Sequence, residues 1–141
     1  MTPESKKKLK ELLTRHESYK QFAYTDTTGN LTIGIGRNLS DRGISTTEAL
    51  QLLDEDILYF SGKLSHHLNF FNKLSEHRKI ALIDMCFNLG VNGFLKFTKM
   101  ILALEAHDYE RAADEMRASK WHEQVGERAT CLENIIRTDE I

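Results

Sequence analysis

Three polar residues near the N-terminus stand at spacings that could do chemistry: Glu17, Asp26 and Thr32. They lie in the run Glu17-Ser-Tyr-Lys-Gln-Phe-Ala-Tyr-Thr-Asp26-Thr-Thr-Gly-Asn-Leu-Thr32-Ile-Gly-Ile-Gly36. Two carboxylates in unlike environments can cleave a glycosidic bond. One donates a proton to the leaving oxygen; the other, ionised, activates water or stabilises an oxocarbenium-like transition state. Glu17 is the candidate acid, because a carboxylate at the negative end of a helix dipole is expected to have a raised pKa. Tyr19 and Phe22 beside it favour the same role. Asp26, in a polar turn, is the candidate ionised group, and the Thr32 hydroxyl could orient a water. Each residue also has a plainer reading. A helix-end Glu is ordinarily solvated, an Asp before Thr-Thr-Gly-Asn ordinarily makes an Asx turn, and a strand Thr ordinarily serves β-propensity.

The elements that must position these residues follow from local pattern. Thr2-Pro3-Glu4 reads as a helix start, with a hydroxyl N-cap, proline at the first position and acid in the first turn. Leu9, Leu12 and Leu13 then share a helical stripe, predicting a helix over about 3–16. Residues 22–35 read as a β-hairpin turning at Thr28-Gly29-Asn30. Asp26 and Thr32 share a face of that hairpin only in one pairing parity; otherwise Asp26 must sit in the loop and escape alternation. Gly34 and Gly36 permit close backbone approach. Residues 37–44 read as a loop that could hold a third short strand.

Ser45-Thr-Thr-Glu48 is a capping box. It opens a helix over about 46–64, with Ala49, Leu50, Leu53 and Ile57 on one stripe. Ser75 starts a helix that is apolar nearly all round, from Ile80 to Leu89, and Gly90 stops it. Further helices are expected over about 96–106, 109–118 (capped by Asp108) and 125–137, with Trp121 in a short connection. The adjacent His66 and His67 read as surface residues rather than metal ligands. The fold class expected is α+β and mainly helical: a small β-hairpin lobe over about 17–45, a linking helix, and a larger all-helical lobe over about 65–141. The N-terminal helix joins the helical lobe, and a cleft lies between the lobes of this single 1–141 domain.

The chain has 141 residues, 40% hydrophobic and 28% charged, with a formal net charge of −2. That balance fits neither a strong nucleic-acid binder nor a polybasic membrane binder. Charge is uneven. Residues 1–20 carry six bases against three acids, and residues 105–141 carry ten acids against five bases. The Lys6–Lys10 cluster reads as a solvated helix face in preference to an anion-seeking patch. Cys86 and Cys131 require no disulfide, and a reducing compartment is expected. No apolar run follows the N-terminal lysines, so no signal peptide is expected, and synthesis and folding are expected in the cytoplasm.

The spacing Glu17-x8-Asp26-x5-Thr32, followed by Ile33-Gly34-Ile35-Gly36, resembles the catalytic signature of the phage-type lysozymes, a glycoside hydrolase family. The likeness continues through Ala81–Gly90, Phe94-Leu-Lys-Phe97, Asp108–Ala113, Ser119-Lys-Trp121 and Arg128-Ala129, covering nearly the whole chain. It implies a lysozyme-like fold and hydrolysis of the β-1,4 bond between N-acetylmuramic acid and N-acetylglucosamine in peptidoglycan. By position it implies Glu17 as general acid, Asp26 as second carboxylate and Thr32 as the residue that positions water. It further implies Asn38, Phe87 and Asn88 as substrate-binding residues, with no metal and no cofactor. A monomer is expected, with no nucleic acid and no stable membrane insertion. A holin is the implied partner for release from the cytoplasm to the wall.

Three departures from the family pattern stand out. Arg37 occupies the position after Gly36 where the family usually has histidine. It could pair with a carboxylate, Glu17 among them, and so lower the acid's pKa. Met100 replaces a common serine. The net charge is negative where many lysozymes are basic, so weak salt dependence is expected. Two other functions remain compatible with such a fold: a glycan- or protein-binding module that does not cleave, and a lytic transglycosylase.

Overall fold

In the computed structural model, which describes residues 1–141, Thr2 opens helix α1 as expected. Its Oγ1 accepts the Ser5 N–H at 3.1 Å, with Pro3 at the first helical position. Helix α1 (Pro3–Glu17) runs one residue further than the expected boundary and takes Glu17 as its last residue. Ser18 then leaves the helix at φ 64°, and its N–H still bonds the Thr14 carbonyl at 2.9 Å. No residue of α1 is fully buried, and its leucine stripe, Leu9, Leu12 and Leu13, is partly exposed.

The hairpin becomes a three-stranded antiparallel sheet in the order β1-β2-β3. Its strands are β1 (Lys20–Thr25), β2 (Leu31–Gly34) and β3 (Arg37–Asn38). Lys20 pairs with Gly34 and Tyr24 with Thr32, so residues 21–23 of β1 face the single residue Ile33 of β2. Such an irregularity bends and twists a strand. Residues 37–44, read as a loop, also contain the short helix α2 (Leu39–Arg42). Asn38 caps it, its Oδ1 accepting the Asp41 N–H at 3.0 Å, and Gly43 ends it at φ 62°. The Ser40 hydroxyl accepts the Leu31 N–H at 2.9 Å and ties α2 to the sheet.

Helix α3 (Thr46–His67) starts with the expected capping box. The Glu48 N–H donates to Ser45 Oγ at 3.1 Å, and the Ser45 N–H to Glu48 Oε1 at 2.9 Å. The chain forms two units, Met1–Gln51 and Leu52–Ile141, and α3 begins in the first and ends in the second.

The second unit is all helical. Ser75 caps α4 (Glu76–Leu95), which buries Ala81, Leu82, Met85, Cys86 and Phe94 and is broken at Gly90, φ 76° and ψ 162°. The core is completed by α5 (Thr98–Glu105), α6 (Tyr109–Arg117, capped by Asp108), α7 (Lys120–Val125) and α8 (Glu127–Thr138). Trp121, expected in a connection, lies in helix α7. Ser119 caps that helix, its hydroxyl accepting the His122 N–H at 3.2 Å. Glu133 is buried on α8 with its charge answered. Arg137 Nη2 donates to Oε2 at 2.9 Å, and His122 Nε2 lies 2.9 Å from Oε1. Both cysteines are free, and burial pushes the Cys86 thiol up to about 11. No single helix is long and apolar enough to cross a membrane. The architecture is α+β and mainly helical.

Candidate active site

Glu17 is delivered by the end of α1 and meets Gly36, just before β3. A Cβ at Gly36 would stand 2.8 Å from both Cδ and Oε2 of Glu17 and 2.9 Å from Cγ, closer than such atoms approach. Gly36 also sits at φ +70°, where an L side chain is strained. Glycine is therefore required at 36 both for space and for conformation. Gly34 shares the positive φ, +68°, but nothing lies within 4 Å of its would-be Cβ. Of the two glycines expected to allow close approach, only Gly36 receives a side chain.

Asp26 lies one residue past β1, and the ladder continues through it: its N–H donates to the Asn30 carbonyl at 2.9 Å. Tyr24 pairs with Thr32, so Asp26, two residues on, has the parity of Thr32. Asp26 thus sits in the turn and still keeps the shared parity. Its Oδ1 accepts three bonds, from the Thr28 N–H (2.9 Å), the Thr28 hydroxyl (2.8 Å) and the Asn30 N–H (2.8 Å). The Asn30 N–H, then the Thr28 hydroxyl, hold the carboxyl below its ordinary value, so it is ionised in mildly acidic solution. None of these bonds uses Oδ2. The Asx-turn reading and an ionised carboxylate are thus the same arrangement.

Thr32 is 4% exposed, the one buried polar residue of the first unit. Its hydroxyl donates to the Asn30 carbonyl at 3.1 Å, which orients the oxygen's lone pairs elsewhere. Asn30 thus links the two residues, through its N–H to Asp26 and its C=O to Thr32. Sequence reasoning saw Asn30 only as a turn residue, because its part is played by backbone atoms that any residue type carries.

Arg37 does not pair with Glu17. Its Nη1 and Nη2 donate to Oε1 and Oε2 of Glu48 at 3.0 and 2.5 Å, and Nη1 also donates to the Gly43 carbonyl at 3.1 Å. This bidentate fork, with the Ser45 N–H next, holds the Glu48 carboxyl at about 2, well below its ordinary 4.5. Arg37 does pair with a carboxylate, as the sequence allowed, but of the carboxylates open to it the capping-box Glu48 at the start of α3, not Glu17, takes the guanidinium. Glu48 was legible as a cap, and its second role required knowing where β3 runs.

Asn38 pairs with Thr32 across β2 and β3, but its side-chain oxygen is committed to capping α2. In the second unit, Phe87 is exposed with its ring 5.3 Å from that of Phe60. Asn88 Oδ1 accepts the indole N–H of Trp121 at 2.8 Å. Met100 is buried in the core of that unit.

Comparison with known proteins adds independent information. Residues 14–140 match the family described as phage lysozyme. The chain is 28% identical over 160 residues to the probable T4-type lysozyme 2 of Dictyostelium discoideum, spanning 92% of this chain and 94% of that protein. Probable T4-type lysozyme 1 of the same organism is 26% identical over 159 residues, with the same shares covered. The pre-baseplate central spike protein Gp5 of Enterobacteria phage T4 is 28% identical over 156 residues. That match spans 91% of this chain but 27% of the spike protein.

Proposed function

The chain belongs to the phage lysozyme family, a group of lysozyme-type peptidoglycan hydrolases, and from that premise we propose that Glu17, Asp26 and Thr32 hydrolyse the β-1,4 bond between N-acetylmuramic acid and N-acetylglucosamine. Glu17 gives its proton to the glycosidic oxygen as the bond to the anomeric carbon breaks. A water held between Asp26 Oδ2 and the Thr32 hydroxyl attacks that carbon from the opposite face and loses its proton to Asp26. The product has inverted configuration. Asn38, Phe87 and Asn88 bind the glycan. Asn38 and Asn88 would use their amide nitrogens, since their oxygens already accept bonds from Asp41 and Trp121. The reaction asks for no metal or cofactor. The enzyme acts as a monomer, waits in the cytoplasm and reaches the wall through a holin.

One observation carries this reading most: Asp26 is anchored through Oδ1 alone by three donors, which keeps it ionised with Oδ2 spare. Mass spectrometry of products from purified peptidoglycan tests it. Hydrolysis adds one water, whereas an anhydro product would indicate a lytic transglycosylase and no product a binding module. Glu17→Gln should abolish product formation, and wild-type turnover by that variant would refute the acid assignment.

A further inference from the structure

We propose that Asn30 is a positioning residue for the second carboxylate: its side-chain amide aims the one proton of the Thr28 hydroxyl at Asp26 Oδ1. Asn30 has this part in the reaction only if Asp26 is the carboxylate that takes the proton of the attacking water. The backbone of Asn30 already holds Asp26 and Thr32, but its side chain adds a bond that depends on residue type. Asn30 Nδ2 donates to Thr28 Oγ1 at 2.9 Å, and Thr28 Oγ1 donates to Asp26 Oδ1 at 2.8 Å. Gly29, between the two, turns at φ 85°, and its N–H closes the turn on the Asp26 carbonyl at 3.1 Å.

A hydroxyl has one proton and two lone pairs. An ionised carboxylate offers only lone pairs, so the Thr28 proton must point at Asp26. The lone pairs of Thr28 Oγ1 are left to face Asn30, and only the NH2 end of that amide can meet them. Bonds in such a chain polarise one another, so the amide makes the hydroxyl a stronger donor. The result is a one-way relay, from Asn30 to Thr28 to Asp26, that favours the ionised carboxylate. It also helps to anchor Oδ1 and leave Oδ2 for water. An aspartate at 30 would reverse the relay. Its carboxylate would compete for the Thr28 proton and set a second negative charge beside Asp26.

Carbon-13 NMR titration of the Asp26 carboxyl in the full chain tests the relay, with the shifts of the other sheet residues reporting that the fold is kept. Asn30→Ala should raise the Asp26 midpoint, cutting the ionised fraction on its acid side about twofold. Asn30→Asp should cut it about tenfold. A double-mutant cycle with Thr28→Val then shows whether Asn30 acts through the hydroxyl. In the Thr28→Val background Asn30→Ala should have no effect, and Asn30→Asp should keep only the smaller effect of its charge. The acid limb of kcat should move in the same order as the NMR midpoints. Equal shifts with and without the Thr28 hydroxyl, or a midpoint that Asn30→Ala leaves in place, would overturn the proposal. Midpoints that move as expected while the acid limb stays put would spare the relay but overturn the part of Asp26 in proton transfer, so the two readings fail separately.

Discussion

Arg37 and Glu48 form a bidentate ion pair, 3.0 and 2.5 Å, that joins the third strand to the first turn of α3. Glu48 meanwhile closes the capping box with Ser45, so one carboxylate ends a helix and fixes a strand. The pair consumes the positive charge next to Gly36 that would otherwise act on Glu17.

The pair makes acid stability a readout. Glu48 titrates at about 2 in the folded chain against an ordinary 4.5. The ionised carboxylate therefore stabilises the fold fully above pH 4.5, and that contribution is lost as pH falls towards 2. Arg37→Met should return Glu48 towards its ordinary value and move the acid-unfolding midpoint up. It should leave the pH optimum of activity nearly where it was, since Arg37 does not touch Glu17. Acid titration by circular dichroism alongside a pH–rate profile checks both. A large move of the optimum with no change in acid unfolding would place Arg37 with Glu17 after all.

Gly36 and Gly34 offer a matched test of the Glu17 seat. Both have φ near +70°, so alanine strains the backbone at either position by about 1–2 kcal/mol. Only at 36 would the new methyl collide with Glu17. Gly34→Ala and Gly36→Ala should lower the melting temperature by comparable amounts, while Gly36→Ala alone loses about 100-fold or more in kcat. Equal activity losses in the two variants would mean that backbone strain, not the carboxyl's position, matters.

What could be read from the chain beforehand divides by range. The caps at Thr2, Ser45, Ser75 and Asp108 were legible because each is a bond to a backbone N–H three residues on. The hairpin was legible from alternation, and the spacing of Glu17, Asp26 and Thr32 marked out a candidate site. The helix around Trp121 was not, because six residues carry too little periodicity and its anchor, Asn88, is 33 positions away. The irregular pairing of β1 with β2 was hidden as well. A strand with three residues facing one has the same composition as a regular strand, and only the partner shows the shift.

The turn around Asp26 predicts how activity falls in acid. The Asn30 N–H and the Thr28 hydroxyl are the two strongest influences that favour the ionised carboxylate, and the former is backbone and cannot be removed by changing a side chain. The Thr28 hydroxyl can. Thr28→Val keeps the side chain's shape and the backbone N–H bond at 2.9 Å, but deletes the 2.8 Å hydroxyl bond to Oδ1. Asp26 should then hold its proton to higher pH. A base that must be ionised loses activity as pH falls through its pKa, so the acid limb of the kcat profile should shift upward. The alkaline limb, set by the group that must stay protonated, should not move. Thr28→Ser, which restores the hydroxyl, should return the acid limb to its original place. If Thr28→Val shifts the alkaline limb instead, Asp26 is the proton donor and the roles assigned to the two carboxylates are reversed.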